Sequence, residues 1–225
     1  MSRQEFFEKQ GIRAIILVST LDFGRCPIAS RLPTALWPVA GKSVLERLLD
    51  HLADQGIKQV AICGRGASSL LDERYLTDGR LRLSFFDESL PVGTAGCIRE
   101  AVCNRTEGLL MVFPASIVCP PEIDVLIKAH HDGQSDLTVM LNPYCRDNMD
   151  ASEASGIYVC NPDVLKHIPK AGYFDIKEGL IPKILHAGRT VYAATLPYHA
   201  GNFRNRQEYL YALSGYFEKG HGDAG

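Results

Sequence analysis

Apolar and polar positions alternate along the chain in a way that predicts strands connected by helices. Apolar runs typical of buried strands occupy residues 14–18, 57–63, 81–86, 109–113, 137–141, 156–160 and 190–196. Helices are predicted between them, over residues 43–56, 68–76, 96–102, 122–130, 178–186 and 206–216. Strands that alternate with helices predict a mostly parallel sheet, because right-handed crossovers place helices on both of its faces.

The start of the first helix has a specific signal. Ser43 and Glu46 have the spacing of a capping box, in which a hydroxyl and a carboxylate bind the first free backbone N–H groups. Gly56 ends the helix. The apolar positions repeat at helical spacing and are Leu45, Leu48, Leu49 and Leu52. This pattern predicts an amphipathic helix that packs on the sheet.

The pattern as a whole predicts a single Rossmann-like, three-layer α/β domain with a mixed, mostly parallel sheet. We expect this domain to span residues 13–217, with an N-terminal extension over 1–12 and a flexible tail over 218–225. Ligands of such sheets bind at the carboxyl ends of the strands. The loops to examine for function are therefore residues 19–42, 63–68, 87–96 and 114–120.

Composition narrows the class of protein. The 225 residues include 24 Lys and Arg and 26 Asp and Glu, a formal net charge of −2. This balance argues against a nucleic-acid or membrane-surface binder. No apolar run approaches the roughly 18 residues of a membrane span, and the polar start is not a signal peptide. Seven scattered cysteines without a CxxC motif indicate buried thiols in a reducing compartment, so we expect a soluble cytoplasmic protein.

Two glycine-containing turns are candidates for ligand binding. The segment 64–68 with Asp87 is a partial dinucleotide fingerprint, but its third glycine is missing, so a tight strand-to-helix turn is the favoured interpretation. The segment 87–96 ends a strand and starts a helix with Gly, Thr, Ala and Gly, which lets backbone approach a flat ligand or a phosphate. His130 and His131 are adjacent and cannot share a helix face, so no metal site is predicted there.

Seven short segments occur in the order found in one enzyme family. They are residues 14–17, 38–45, 53–60, 93–96, 155–159, 174–185 and 208–212. From about residue 14 to residue 212 the chain resembles the sugar-phosphate nucleotidyltransferases, also called nucleoside-diphosphate-sugar pyrophosphorylases. The resemblance implies the nucleotide-diphospho-sugar transferase fold. It also implies attack of a sugar 1-phosphate on the α-phosphate of a nucleoside triphosphate, with Mg²⁺ as cofactor if the protein is active.

The same resemblance assigns nucleotide-binding positions. They are Leu17, Arg25, Glu88, Gly93, Thr94 and Gly96. Arg25 corresponds to the arginine of the family's glycine-rich phosphate loop, but the paired glycines are missing and Asp22 adds negative charge. Glu88 stands where the family often has a glutamine that reads the base.

At three other positions the chain departs from the family. Thr34 stands at the phosphate-binding lysine, Ala115 at the first metal-binding aspartate and Asn202 at the second. Residues 138–156 are also too few to contain the family's sugar-binding hairpin. Arg25 is therefore the only catalytic candidate, and no metal ligand is predicted.

Two hypotheses follow from the family resemblance together with the missing functional residues. The first is a family member with a degraded active site that binds a nucleotide, a sugar nucleotide or a partner enzyme in a regulatory role. Its partners would be further copies of itself or a related nucleotidyltransferase in an oligomer. The second is an active sugar-1-phosphate nucleotidyltransferase whose site is rebuilt with Arg25, Asp22 or Glu88 in new roles.

A third hypothesis belongs to a different class. The chain would be a pure protein-interaction module whose nucleotide cleft is closed by bulky side chains. The residues expected to fill the former phosphate loop are Leu21, Phe23 and Trp37.

Overall fold

The computed structural model describes residues 11–18, 32–71, 79–102, 108–143, 153–203 and 205–220. Arg25, Asp22 and most of the predicted helix 68–76 lie outside these ranges, as do both predicted terminal segments for most of their length. The domain boundaries at 13 and 217 therefore stay predictions.

The described residues form a seven-stranded sheet and a small hairpin. The strands are β1 (Arg13–Leu17), β2 (Pro38–Val39), β3 (Lys42–Ser43), β4 (Gln59–Gly64), β5 (Arg82–Asp87), β6 (Leu110–Pro114), β7 (Leu137–Leu141), β8 (Ala154–Cys160) and β9 (Val191–Thr195). The large sheet has the order β5-β4-β1-β6-β8-β7-β9, and β2 pairs with β3. Only β8 runs antiparallel to its neighbours in the large sheet. The predicted mixed, mostly parallel sheet is confirmed.

Helices connect most of the strands. They are α1 (Val44–Asp54), α2 (Thr94–Val102), α3 (Ile123–Asp132), α4 (Ile181–His186) and α5 (Arg206–Gly220). A π-helical turn, Ile176–Leu180, leads into α4 and takes up the first part of the helix predicted over 178–186. Of the predicted helix 68–76, the described part contains only the 3₁₀ turn Ala67–Ser69. No helix among the described residues is long and apolar enough to cross a bilayer.

The predicted capping box at the start of α1 is present. The Ser43 hydroxyl accepts a hydrogen bond from the Glu46 N–H at 3.2 Å, and the Glu46 carboxylate accepts one from the Ser43 N–H at 2.7 Å. The four leucines at helical spacing are buried. Local sequence thus fixes both where α1 begins and which side of it faces the sheet.

Alternate residues of the central strands pack into two different cores. Ile16 of β1 packs in one core with Leu45 of α1. Ile15 packs in the other core with Ile98 of α2. Helices therefore cover both faces of the sheet, which confirms the three-layer architecture.

Leu21 and Phe23 lie outside the described residues, so their expected place in the former phosphate loop stays a prediction, and of the three residues the structure locates Trp37. Its ring lies in a third cluster with Phe203 and Tyr209, at ring-centroid distances of 5.5 and 4.9 Å. Its indole N–H donates to the Leu32 carbonyl oxygen. Trp37 thus belongs to the contact between the segment before β2 and helix α5, because a large aromatic ring gains more from this packing than from a ligand-facing loop.

Four of the seven cysteines are described, and all four are free thiols. Cys63, Cys97 and Cys160 are buried, and Cys119 is partly exposed. Burial raises the pKa of the Cys97 thiol to about 12, and it does the same for Cys160. These thiols stay protonated at neutral pH, so they behave as small apolar core residues.

Candidate functional site

The carboxyl ends of four parallel strands meet at one edge of the sheet. The Val18 N–H donates to the Cys63 carbonyl oxygen at 2.8 Å, which joins the ends of β1 and β4. The Ala115 N–H donates to the Leu17 carbonyl oxygen at 2.9 Å, which joins β6 to β1. The Glu88 N–H donates to the Gly64 carbonyl oxygen at 3.2 Å, which joins β5 to β4. The edge expected to bind ligand is thus continuous from Glu88 to Ala115.

The two positions assigned to metal binding lie side by side at this edge. Asn202 forms an isolated antiparallel bridge with Ile117, two residues beyond Ala115. The Asn202 side-chain amide nitrogen donates to the Ser155 carbonyl oxygen at 3.2 Å. Its amide oxygen accepts from the Ser116 hydroxyl at 2.5 Å. Both ends of the amide are therefore bound within the protein.

These residues do not fit a magnesium site of the family's kind. Mg²⁺ prefers carboxylate oxygens in octahedral geometry, and the Ala115 side chain is a buried methyl group. The Asn202 oxygen is taken by Ser116, and its nitrogen cannot bind a cation. Across the described ranges, no group of three or more His, Cys, Asp or Glu could hold a metal ion.

Acidic residues at the end of β5, including the predicted nucleotide-binding residue Glu88, form hydrogen bonds within the protein. One Glu88 carboxylate oxygen accepts a hydrogen bond from the Val92 N–H at 2.6 Å. Asp87 accepts hydrogen bonds from the N–H and the hydroxyl of Ser68, and the bonds from Ser68 lower its pKa below the usual value. Gly66 has φ +68°, as a tight turn requires. These contacts support the turn interpretation of segment 64–68.

The start of α2 binds another segment of the chain, which differs from the expectation that it faces a ligand. The N–H groups of Ala95 and Gly96 both donate to the Phe174 carbonyl oxygen, at 3.1 Å each. Gly93 has φ +77°, and a side chain there would collide with the Phe174 backbone. The close approach that Gly93 permits is therefore made by the protein's own backbone.

Thr94 completes this contact with its hydroxyl. The hydroxyl donates to the Asp175 carboxylate at 2.8 Å and accepts from the Ile176 N–H at 2.9 Å. Partial burial raises the pKa of Asp175, but its hydrogen bonds with Glu178, Thr94 and the Lys177 N–H outweigh burial and hold that pKa below its usual value. Thr94 and Asp175 together fix the π-helical turn against α2.

Thr94→Val is expected to lower the free energy of unfolding by about 1.5 kcal/mol, because it leaves the Ile176 N–H and the Asp175 carboxylate each short of a partner. A depressed pKa stabilises the fold above the pKa of the unfolded state, and this stability is lost as pH falls through the folded pKa. The difference from wild type should therefore shrink in acid. Urea denaturation at neutral and acid pH measures it, and Thr94→Ser, which keeps the hydroxyl, is the control. Equal losses in both variants would contradict the role of the hydroxyl.

Thr34 lies near the hairpin that carries the family-like segment 38–45. It is buried in a 3₁₀ turn, Thr34–Leu36, directly before the hairpin. Arg47 of α1 donates to the Val39 and Ala40 carbonyl oxygens and, at 2.6 Å, to the Tyr216 hydroxyl of α5. The hairpin is thus held by α1 and α5 together.

Sequence reasoning missed four residues that shape this edge. They are Arg47, Ser116, Ser155 and Asp175. Each acts through a partner far along the chain, so no local pattern marks the contact that it makes. Ser155 and Asp175 fall within family-like segments, but the resemblance does not identify their partners.

Comparison with known proteins supports a common origin. A family model described as nucleotidyl transferase matches residues 26–152. The mannose-1-phosphate guanylyltransferase of Mycobacterium tuberculosis is 24% identical over 203 residues, covering 79% of this chain and 56% of the relative. The D-glycero-alpha-D-manno-heptose 1-phosphate guanylyltransferase of Aneurinibacillus thermoaerophilus is 28% identical over 134 residues, which cover 59% of this chain and 58% of the relative. The chain thus spans little more than half the length of these relatives.

Solved structures share the fold. HddC from Yersinia pseudotuberculosis superimposes with a TM-score of 0.72 at 18% identity, covering 91% of this chain and 99% of HddC. The same protein complexed with GMP-PN superimposes equally well. A putative glucose-1-phosphate thymidylyltransferase from Bacillus anthracis gives a TM-score of 0.69 at 14% identity, and the superposition covers 90% of this chain and 94% of that protein.

Proposed function

Because the chain belongs to the nucleotidyl transferase family, we propose that it binds a nucleotide or a sugar nucleotide at the carboxyl ends of β1, β4, β5 and β6. We propose further that its metal-dependent transfer reaction is strongly weakened. Binding at this edge follows the general rule for open α/β sheets, and HddC, of the same fold, forms a complex with GMP-PN.

The hydrogen bonds of Asn202 carry the second part of the proposal. Nucleotidyl transfer requires neutralisation of the charge that develops on the phosphates. The two positions that would supply carboxylates for a metal hold a methyl group and an amide, and the amide is bound by Ser116 and Ser155. Removal of one such stabilising contact commonly lowers a rate by about two to three powers of ten, although losses of this kind are not additive.

The turn after β5 and the start of α2 are held by hydrogen bonds within the chain. Glu88 fixes the Val92 N–H, the Phe174 N–H donates to the Val92 carbonyl oxygen at 2.9 Å, and Phe174 in turn caps α2. Because these loops are already ordered by the chain itself, a nucleotide would lose less free energy to ordering them. This favours retained binding even where the chemistry is lost.

A regulatory role requires a partner, and we propose an oligomer with a second copy or with a related nucleotidyltransferase in the cytoplasm. Helix α5 exposes Leu210, Tyr211 and Phe217 to the extent of 50%, 60% and 46%. Large exposed apolar side chains on one helix favour contact with another protein surface.

The active enzyme is the second candidate. The relatives that match over most of this chain are named as transferases, and the Glu88 carboxylate has a second oxygen beside the one that binds Val92. In that case Arg25 and Asp22 would act with Glu88 on the phosphates. The interaction module, with no nucleotide bound, is the third.

Calorimetric titration with GTP, UTP, dTTP and their diphospho-sugars, with and without Mg²⁺, tests the proposal together with a pyrophosphate-release assay. We expect saturable binding whose Kd changes less than about threefold, about 0.6 kcal/mol, on addition of Mg²⁺, and no release above background. Mg²⁺-dependent release that Arg25→Ala abolishes and Arg189→Ala preserves would establish the rebuilt enzyme instead. Absence of any nucleotide binding would support the interaction module and refute the proposal.

A further inference from the structure

A cleft of about 440 Å³ opens at the edge of the sheet opposite the candidate functional site. It lies at the amino ends of β1, β4 and β5, and we call it the amino-edge cleft. Three glycines line it, Gly11, Gly56 and Gly79, and its charged residues are Lys58, Arg80 and Arg82. The volume lies within the usual range for small-molecule pockets.

The charged residues in the described lining of this cleft have one sign. They are three cations, with no carboxylate among the described lining residues, although the chain as a whole has a net charge of −2. Arg80 is held by Asp50 at 2.7 Å and by Asp54 at 3.5 Å. Within the described ranges, neither Lys58 nor Arg82 has a salt-bridge partner. A concave surface with uncompensated cations concentrates anions.

The backbone of the cleft leaves room beside these cations. Gly11, Gly56 and Gly79 all have positive φ, in the region that glycine adopts without strain. A Cβ atom on Gly79 would meet no atom within 4 Å, so this position faces open space. A bound group can therefore approach the backbone at Gly79 beside Lys58, directly before β4, and Arg82, the first residue of β5.

The amino-edge cleft is separate from the candidate nucleotide site. Strand β5 runs from Arg82 at the cleft to Asp87 at the opposite edge, and β4 runs beside it from Gln59 to Gly64. Five steps of about 3.3 Å place the two edges about 17 Å apart. One small molecule cannot occupy both sites.

We propose that the amino-edge cleft binds a small phosphate-bearing anion. The planar guanidinium group of Arg82 can donate two parallel hydrogen bonds to phosphate oxygens, and the Lys58 ammonium adds a compact charge. The cleft has room for more than one phosphate group, which points to pyrophosphate or to a phosphorylated sugar. Pyrophosphate and a phosphorylated sugar present the same kind of phosphate oxygens to the cleft. Only a binding experiment can therefore distinguish the two ligands.

Amide NMR of the full-length protein tests this site. Titration with inorganic pyrophosphate, and in a second arm with glucose 6-phosphate, is expected to shift the Gly56, Gly79 and Arg82 amide signals saturably. In Lys58→Gln/Arg82→Gln the Kd should rise about tenfold or more, because two charge-assisted contacts are lost. The ligand with the lower Kd identifies the source of the phosphate.

The control variant also removes two positive charges, but from surface positions outside the amino-edge cleft. Lys128→Gln/Lys166→Gln replaces two exposed lysines that pair with Asp132 and Asp163, and its Kd should stay within about twofold of wild type. Equal weakening in both double variants, no saturable shift in wild type, or shifts confined to the carboxyl ends of the strands would each overturn the proposal. Dispersed spectra of both variants verify folding. The readout requires no turnover, so its failure leaves the proposed function intact.

Discussion

Gly93→Ala is expected to lower the free energy of unfolding by about 3 kcal/mol, the largest effect of any single substitution considered. A Cβ atom at this position would lie 2.5 Å from the Phe174 carbonyl oxygen and 2.7 Å from its carbon. Backbone atoms cannot move aside as a flexible side chain can. In addition, φ at Gly93 is +77°, a conformation that alanine adopts only with strain.

Urea denaturation at neutral pH measures this loss, and the chain offers a matched control. Gly215 lies within α5, and a Cβ there would meet nothing within 4 Å. Gly215→Ala should therefore raise the free energy of unfolding by about 0.5–1 kcal/mol, since alanine favours the helix. If Gly93→Ala cost less than about 1 kcal/mol, the close contact between α2 and Phe174 would not exist as described.

The same substitution also bears on ligand binding. The Phe174 carbonyl oxygen accepts the N–H groups of Ala95 and Gly96, so displacement of Phe174 would free the start of α2. Loss of this contact would loosen the edge at which we propose nucleotide binding. A weakened fold and a weakened nucleotide affinity are therefore expected together in Gly93→Ala.

The fold could be predicted from the sequence because its signals are local. Apolar runs identify the central strands, and the spacing of Ser43 and Glu46 identifies the start of α1. Alternation of strands and helices then leaves few arrangements for the sheet. Strand β8 pairs antiparallel to its neighbours, but residues 156–160 have the same apolar pattern as a parallel strand, so the strand itself could still be predicted.

The candidate site could be predicted only in outline, because its contacts join distant parts of the chain. The family-like order of segments places Ala115 and Asn202 at one edge, and the structure brings them together. The partners of Asn202, however, are Ser116 and Ser155, and no motif indicates either hydrogen bond. Gly93 and Gly96 were assigned to a ligand, yet the Phe174 backbone occupies the space beside Gly93 and the Val92 side chain the space beside Gly96.

Neither the amino-edge cleft nor the position of Trp37 could be predicted from the sequence, because both depend on contacts between distant parts of the chain. Lys58 lies more than 20 residues before Arg80 and Arg82 in a chain whose charges nearly balance, so their convergence appears only when β4 and β5 pair. Trp37 lies next to the predicted phosphate loop in sequence, but its aromatic partners Phe203 and Tyr209 lie more than 160 residues away. Long-range packing decided both cases.

Asn202→Asp is expected to lower the free energy of unfolding by about 2 kcal/mol at neutral pH, although it restores the family's residue. The amide nitrogen that donates to the Ser155 carbonyl oxygen at 3.2 Å would become an oxygen that repels it. Ser116 would still donate to the other oxygen. The site is thus built for an amide, and a carboxylate there lacks the cation that would offset its charge.

The pH dependence follows from the same contact. A protonated carboxyl could donate to Ser155, so the pKa of the new aspartate should rise above its usual value. A raised pKa means that this stabilisation is complete below the unfolded pKa and is lost as pH rises through the folded pKa. Urea denaturation should therefore show a small difference from wild type in acid and the full difference at neutral pH. Gln207→Glu makes the same amide-to-carboxylate change at an exposed position in the first turn of α5, so its free energy of unfolding should stay within about 0.5 kcal/mol of wild type at both pH values.

Mg²⁺ provides the decisive arm of this experiment. In Ala115→Asp/Asn202→Asp, two carboxylates would replace the methyl group and the amide beyond the end of β6, and a divalent cation that binds them would stabilise the folded state. Mg²⁺ should raise the unfolding midpoint of this double variant and leave that of wild type unchanged, because wild type has only a methyl group and a bound amide there. If Mg²⁺ with a nucleoside triphosphate stabilised wild type as much as the double variant, the protein would hold the metal with other residues, and transfer activity would again be expected.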